Sequence, residues 1–304
     1  EIHLTISIGV VLFPLEQESS ANLVQYADTA MFEAKREGRD AVRLYSEEMQ
    51  DSKEHHRLME KGLHKALELN EFELYFQPQF DGSNRVTGIE ALLRWHHPDR
   101  GLLEPEIFTE TAEQTGLIIP IGDWMIRSAC EHLGKMEFDS KLDLSVNISP
   151  RQFRNADFIG KITQILHQTG VDPARLKLEV TEFMLIDNID QAAGVINQLK
   201  QLGIKLSVDN FGTGYSSIAS LARFSVDEIK IDQSLIRDIS SSPDNAVIVE
   251  TILVTAQHLK LDTVAEGVET RADLDFLIQK NCNKFQGPHF AKPDTFEIFL
   301  NLVV

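Results

Sequence analysis

Short apolar runs and longer amphipathic stretches alternate along most of the chain. The runs Phe72–Phe80, Val86–Leu93, Leu142–Asn147, Leu176–Thr181, Ile204–Asp209, Glu228–Asp232, Asp262–Glu266 and Cys282–Gln286 read as strands. Between the later ones, Phe158–Thr169, Ile189–Leu202, Ala246–His258 and Arg271–Gln279 carry apolar residues at helical spacing. That alternation predicts an α/β fold with parallel strands inside and helices outside, and eight strands predict a closed (β/α)8 barrel of the TIM type.

The first residues follow another pattern. Leu4, Ile6, Ile8 and Val10 share one face of a predicted strand. Ser20 to Arg36 predicts a helix ended by Gly38, and Ala41–Tyr45 a short closing strand. So small an α+β piece buries little by itself, so it must dock on a neighbour or be the stump of another domain. From Ser46 to Asn70 the chain is charged and helical. Its stripe of Leu58, Met59, Gly62, Leu63, Ala66 and Leu67 is too short for several heptads, which predicts a linker helix packed on the next domain. The predicted units are a remnant over 1–46, a linker helix over 47–70 and a barrel over 71–304.

Composition narrows the function. With 42% hydrophobic and 25% charged residues the chain affords a packed core. Its net charge of −18 argues against duplex DNA or RNA and against an anionic membrane, because phosphate contacts need clustered Lys and Arg. A small phosphate ligand remains compatible if cations gather in an acidic cleft. The two cysteines, Cys130 and Cys282, predict neither a structural disulfide nor a paired zinc site. No apolar run is long enough to span a bilayer and no secretory leader is visible, which predicts a cytoplasmic piece of a longer polypeptide.

Polar residues recur at predicted strand ends. Asn147, Glu179, Asp209, Glu266 and Gln286 close their runs, Lys230 sits inside one, and Glu90 lies in Gly88–Leu93. In a parallel barrel such ends form one rim, where barrel enzymes keep their sites. Any one of these has an ordinary explanation: a surface carboxylate, a structural ion pair for Lys230, a helix cap for Asn147. Those explanations would have to hold independently at six strand ends. Four converging carboxylates need cations, and an all-oxygen set suits Mg²⁺ or Mn²⁺ rather than zinc. Two other features read as ordinary structure: His55-His56 as solvated, and Asp187-Asn188-Ile189-Asp190 as a helix N-cap.

Glu90-Ala91-Leu92-Leu93-Arg94-Trp95 resembles the signature of the EAL family of cyclic di-GMP phosphodiesterases. Tyr75-Phe76-Gln77-Pro78, Val146-Asn147-Ile148-Ser149, Glu179-Val180-Thr181-Glu182, Phe211-Gly212-Thr213-Gly214-Tyr215-Ser216-Ser217, Lys230-Ile231-Asp232, Ala265-Glu266-Gly267-Val268-Glu269-Thr270 and Gln286-Gly287 follow in that family's order. The stretch Ala27 to Asp40 resembles the final helix of a GGDEF domain, whose Gly-Gly-Asp/Glu-Glu-Phe loop occurs nowhere in the chain.

The resemblance implies a barrel whose first strand is antiparallel and hydrolysis of cyclic di-GMP to linear 5′-pGpG. It implies that Glu90, Asn147, Glu179 and Asp209 hold one ion, and that Asp209 and Asn210 hold a second. It further implies that Lys230 and Glu266 act in catalysis and that Gln77, Arg94 and Gln286 hold substrate. Glu182 and Glu269 would steady the Phe211–Ser217 loop, and a homodimer would form near Gly212 and the 244–258 helix. One position departs from the family pattern: Asn210 stands where a second Asp is usual, which predicts a weaker second ion. The competing reading is a degenerate EAL domain that binds cyclic di-GMP without turning it over. A third is a dimerising scaffold that binds neither ligand nor metal.

Overall fold

The computed structural model describes residues 5–12, 20–36, 40–136, 142–213 and 223–303. Strand β1 (Ile8–Val10) pairs in parallel with β2 (Val42–Leu44) beside helix α1 (Ser20–Arg36), which forms the small N-terminal α+β piece. Leu4 and Gly38, expected in the first strand and at the helix end, lie outside the described residues.

Helix α2 (Glu47–Leu69) docks on the barrel through part of its predicted stripe. Met59, Leu63 and Ala66 are buried, and Gly62 lies so close to Trp95 that a Cβ there would meet the ring at 2.8 Å. Leu58 instead faces solvent. Fully buried Trp95 donates from Nε1 to Glu71 at 3.0 Å, so the indole satisfies its one donor while filling the seam. His56, predicted solvated, is half-buried. Its ring meets Phe32 of α1, and its Nδ1 is 3.1 Å from Thr111 Oγ1, so it joins the N-terminal piece to the barrel.

The barrel strands are β3 (Phe72–Phe80), β4 (Val86–His97), β5 (Gly101–Leu103), β6 (Asp143–Asn147), β7 (Leu176–Thr181), β8 (Lys205–Phe211), β9 (Glu228–Ile231), β10 (Asp262–Ala265) and β11 (Lys284–Phe285). Among the described residues these nine form one sheet in the order β3-β11-β10-β9-β8-β7-β6-β4-β5, and a β3–β4 pairing closes eight of them into a barrel. β3 is antiparallel to both neighbours, and the pairings from β4–β6 round to β10–β11 are parallel. β4 runs past the predicted Leu93 to His97 because β5 folds back on it. Outward aliphatic residues such as Leu144, Leu178, Val180, Leu206 and Ile229 are buried beneath the helices. Cys130 and Cys282 are buried and unpaired.

The barrel interior is polar, whereas bulky branched side chains fill most barrels of this type. Strand alternation and register arrange the inward side chains in tiers. The floor is an ion triad: Lys177 contacts both oxygens of Glu228 at 2.8 Å, and Lys284 meets Glu228 Oε2 at 2.6 Å. Above it lie Ser145, Ser207 and Gln79, and above those Glu90, Glu179, Lys230 and Gln286. Asn147, Asp209, Glu266 and Gln77 form the rim.

Burial opposes ionisation of Glu228, but the two lysines outweigh it and hold its pKa down at about 2. The unfolded chain therefore takes up a proton at higher pH than the folded one. The triad's contribution is complete above the ordinary carboxyl value of 4.5 and is lost as pH falls towards 2. Glu228→Gln removes that acid-sensitive part and strands Lys177, at a cost of about 3–5 kcal/mol. Chemical denaturation of both proteins at neutral pH and in acid should show the gap closing in acid.

Candidate active site

The rim is where strand register converts distance in sequence into proximity. Glu90 on β4, Glu179 on β7, Lys230 on β9 and Glu266 just after β10 all point inward at adjacent levels. The Lys230 ammonium lies 2.8 Å from Glu90 Oε2, 2.7 Å from Glu179 Oε2, 2.7 Å from Glu266 Oε1 and 3.7 Å from Asp209 Oδ1. It is 1% exposed, so solvent does little to screen these contacts.

One ammonium cannot neutralise these four carboxylates, and burial compounds the surplus at Glu179 and Glu266. Burial pushes Glu179 well above the ordinary carboxyl range, with the charges of Glu90 and Asp209 adding to the effect against Lys230. Burial also raises Glu266 to about 8, opposed by Lys230 and assisted by Asp209 and Glu90. Glu90 goes the other way: burial is outweighed by Lys230 and by hydrogen bonds from Gln286 and Asn147. Lys230 itself is held charged against burial by the surrounding carboxylates.

Asn147 belongs to this cluster and caps nothing. Its Nδ2 donates to Glu90 Oε1 at 2.8 Å, and Ser149 caps the following helix by accepting from Gln152. Gln286, expected to hold substrate, is occupied within the tier. It donates to Glu90 at 2.6 Å and to Gln77 at 2.9 Å, and accepts from Gln79 at 2.9 Å. Gln77 in turn donates to the Ala291 carbonyl at 3.0 Å. Gly287 lets this segment pass Val268 closely, where a Cβ would lie 2.4 Å from the Val268 nitrogen.

A cleft of about 390 Å³ opens above the cluster, lined by Gln77, Glu90, Asp209, Asn210, Glu266 and Gln286 among others. Glu106, Asp232 and Gln233 also line it, and sequence reasoning did not single them out. Asp232 was quoted within Lys230-Ile231-Asp232, but only closure of the barrel shows that it faces the cleft. Arg94 does not line it: its guanidinium lies over Tyr75 and donates to the Leu93 carbonyl. Asn210 sits at a break in the β8–β9 register with left-handed backbone (φ 55°), and its Nδ2 donates to Asp209 Oδ2 at 3.2 Å.

Glu182, buried at the start of the helix after β7, lines an apolar recess with Asn210 and Thr213. Glu269 lies at the surface, 3.5 Å from Arg237. The loop both were expected to steady continues from Gly214 outside the described residues. Asn188 caps the helix 189–201 by accepting from Gln191, as its sequence context predicts.

Among the described residues, no group of three or more His, Cys, Asp and Glu side chains stands in a metal-binding arrangement, because the ammonium of Lys230 holds the centre of this one. Within this cluster two buried carboxylate oxygens nonetheless lack a hydrogen bond, Glu179 Oε1 and Asp209 Oδ1. Hard oxygen donors, unsatisfied and carrying excess negative charge, fit Mg²⁺ or Mn²⁺.

Comparison with known proteins agrees with this geometry. A family model of the EAL domain matches residues 60–293, and one of the diguanylate cyclase GGDEF domain matches residues 1–41. The chain is 37% identical over 294 residues to the cyclic di-GMP phosphodiesterase PdeR of Escherichia coli K12, covering 96% of this chain and 44% of that protein. It is 35% identical over 297 residues to the bifunctional diguanylate cyclase/cyclic di-GMP phosphodiesterase MucR of Pseudomonas aeruginosa, covering 96% and 43%. It thus spans less than half the length of these relatives. A solved structure of the PaMucR phosphodiesterase in complex with c-di-GMP superposes with a TM-score of 0.77 at 36% identity, covering 80% of this chain and 99% of that one.

Replacing the central cation tests the electrostatic account. Lys230→Met should destabilise the fold by about 3–5 kcal/mol near neutral pH, because the buried, ionised Glu90 loses its counter-charge. The loss should shrink in acid, where Glu90 takes up a proton. Thermal denaturation across a pH series measures both effects.

Proposed function

Because the chain belongs to the EAL-domain family, we propose that it hydrolyses one phosphodiester bond of cyclic di-GMP to give linear 5′-pGpG, with Mg²⁺ or Mn²⁺ as cofactor. The observation that carries this reading is the Lys230-centred carboxylate cluster at the base of the cleft. Residues 1–46 are read as the end of a GGDEF domain, 47–70 as a linker helix and 71–304 as the phosphodiesterase domain. No helix among the described residues is long and apolar enough to cross a membrane.

Glu90, Asn147, Glu179 and Asp209 would hold one ion, and Asp209 with the Asn210 amide oxygen a second. When bound, the ions supply the positive charge that lets a phosphodiester enter a cleft lined by Glu90, Glu106, Asp209, Asp232 and Glu266. Lys230 orients the attacking water and fixes Glu90, Glu179 and Glu266. Glu266, at the base of the cleft beside Lys230, accepts the proton as the water oxygen bonds to phosphorus, and the 3′ oxygen leaves in line and takes up a proton from solvent to become the 3′-hydroxyl of the linear product. Gln286 holds Glu90 in place and Gln77 faces substrate, whereas Arg94, stacked on Tyr75 outside the cleft, would have to leave that ring to offer its fork to a phosphate or guanine.

A homodimer is supported by apolar side chains exposed on the helix Pro243–Leu259 (Val247, Ile248 and Val254) and by exposed Phe183. The receptor reading draws on Asn210, which contributes no charge to the second ion.

Incubation with cyclic di-GMP and Mn²⁺ should yield pGpG, and excess chelator should abolish the product. Glu90→Ala should lower turnover by about a hundredfold or more. Near-normal turnover in that variant would remove Glu90 from the ion site.

The Asn210 backbone suits Asp equally well, since both residues tolerate left-handed geometry. Asn210→Asp should therefore fold normally and raise the rate most at low metal concentration, with the gain shrinking towards saturation. Negligible turnover of both proteins across the whole metal titration would favour the receptor.

A further inference from the structure

One tier of the barrel interior has no part in the hydrolysis just described. Ser145 lies two residues before Asn147 on β6, and Ser207 two before Asp209 on β8, so both point inward below the rim. Ser145 is in register with Lys177, and Ser207 with Glu179, which sets the two serines between the floor triad and the Lys230 tier. Gln79 reaches the same level from β3. Its amide is so close to Gly88 that a Cβ there would lie 2.6 Å from Oε1, and its Nε2 is engaged with Gln286.

Ser145, Ser207 and Gln79 are at most 1% exposed. Ser145 Oγ, Ser207 Oγ and Gln79 Oε1 are buried without a hydrogen-bond partner in the protein. Buried polar atoms are almost always satisfied, and three orphans on one tier point to a common partner.

We propose that this tier holds an internal water site on the side walled by Ser145, Ser207 and Gln79, with buried Val264 as its apolar fourth wall. Water fits because the wall offers hydroxyl donors together with an amide acceptor. A cation would face Lys177 and Lys284 below and Lys230 above. An anion would face Glu228 below and Glu90 and Glu179 above. The room for it would come from serine at two positions that bulky residues usually fill in such barrels. The ammonium of Lys230 and the carboxylate of Glu179 would thus rest on water on the serine side of the tier and on Val264 on the other.

A high-resolution crystal structure of the protein tests this directly. Ordered density within hydrogen-bonding reach of Ser145 Oγ and Ser207 Oγ is expected, and a dry tier would overturn the proposal. Ser145→Ala and Ser207→Ala provide a second reading whose sign decides. Each should lower Tm by roughly 2 °C if it removes a bond to water. An unchanged or raised Tm in both would overturn the proposal, since deleting an orphaned hydroxyl from a dry core stabilises it.

Discussion

Lys230 sits 1% exposed at the centre of the barrel, within 2.8 Å of Glu90 and 2.7 Å of both Glu179 and Glu266. Neither partner in such a cluster is tolerable alone in a medium from which water is largely excluded. The ammonium needs the carboxylates, and the carboxylates exceed what one ammonium can balance. Burial raises Glu179 and Glu266 above the ordinary carboxyl range, and the surplus negative charge adds to the effect.

The rest of the barrel is arranged to make this cluster supportable. Asn147 and Gln286 donate to Glu90 and so assist Lys230, the stronger influence, in keeping that carboxylate ionised against burial. Gln79 and Gln77 then fix Gln286. Farther down, Lys177 and Lys284 neutralise Glu228, so the floor carries its own compensated charge. Outside, the aliphatic faces of the strands and the Trp95 seam under α2 supply the apolar burial that makes a polar interior affordable.

Position 210 shows how backbone and charge interact. The register break at the end of β8 puts residue 210 in left-handed geometry, which Asn and Asp tolerate better than most residues. Asn210 takes that conformation and donates to Asp209, where an aspartate would repel it in the absence of a cation. Gly212 follows because a Cβ there would lie 2.7 Å from Leu235.

Periodicity was sufficient for eight of the nine barrel-sheet strands among the described residues, and the family resemblance implied the antiparallel first one. These are local properties: alternation, turn residues and short motifs survive in one dimension. Register was not legible, because a strand's own pattern does not say which residue of its neighbour lies opposite. Hence the sequence showed Gln286 at a strand end without showing that Glu90 and Gln77 would occupy its amide. It placed Arg94 beside the signature without showing that Tyr75 lies under its guanidinium. It named neither Glu106 and Gln233 in the cleft nor the Lys177–Glu228–Lys284 floor, whose members are 51 and 56 residues from Glu228. The sequence alone determined which chemical groups the rim contains. Closure of the barrel decided which of them touch, because contacts between strands depend on tilt and register that no single strand encodes.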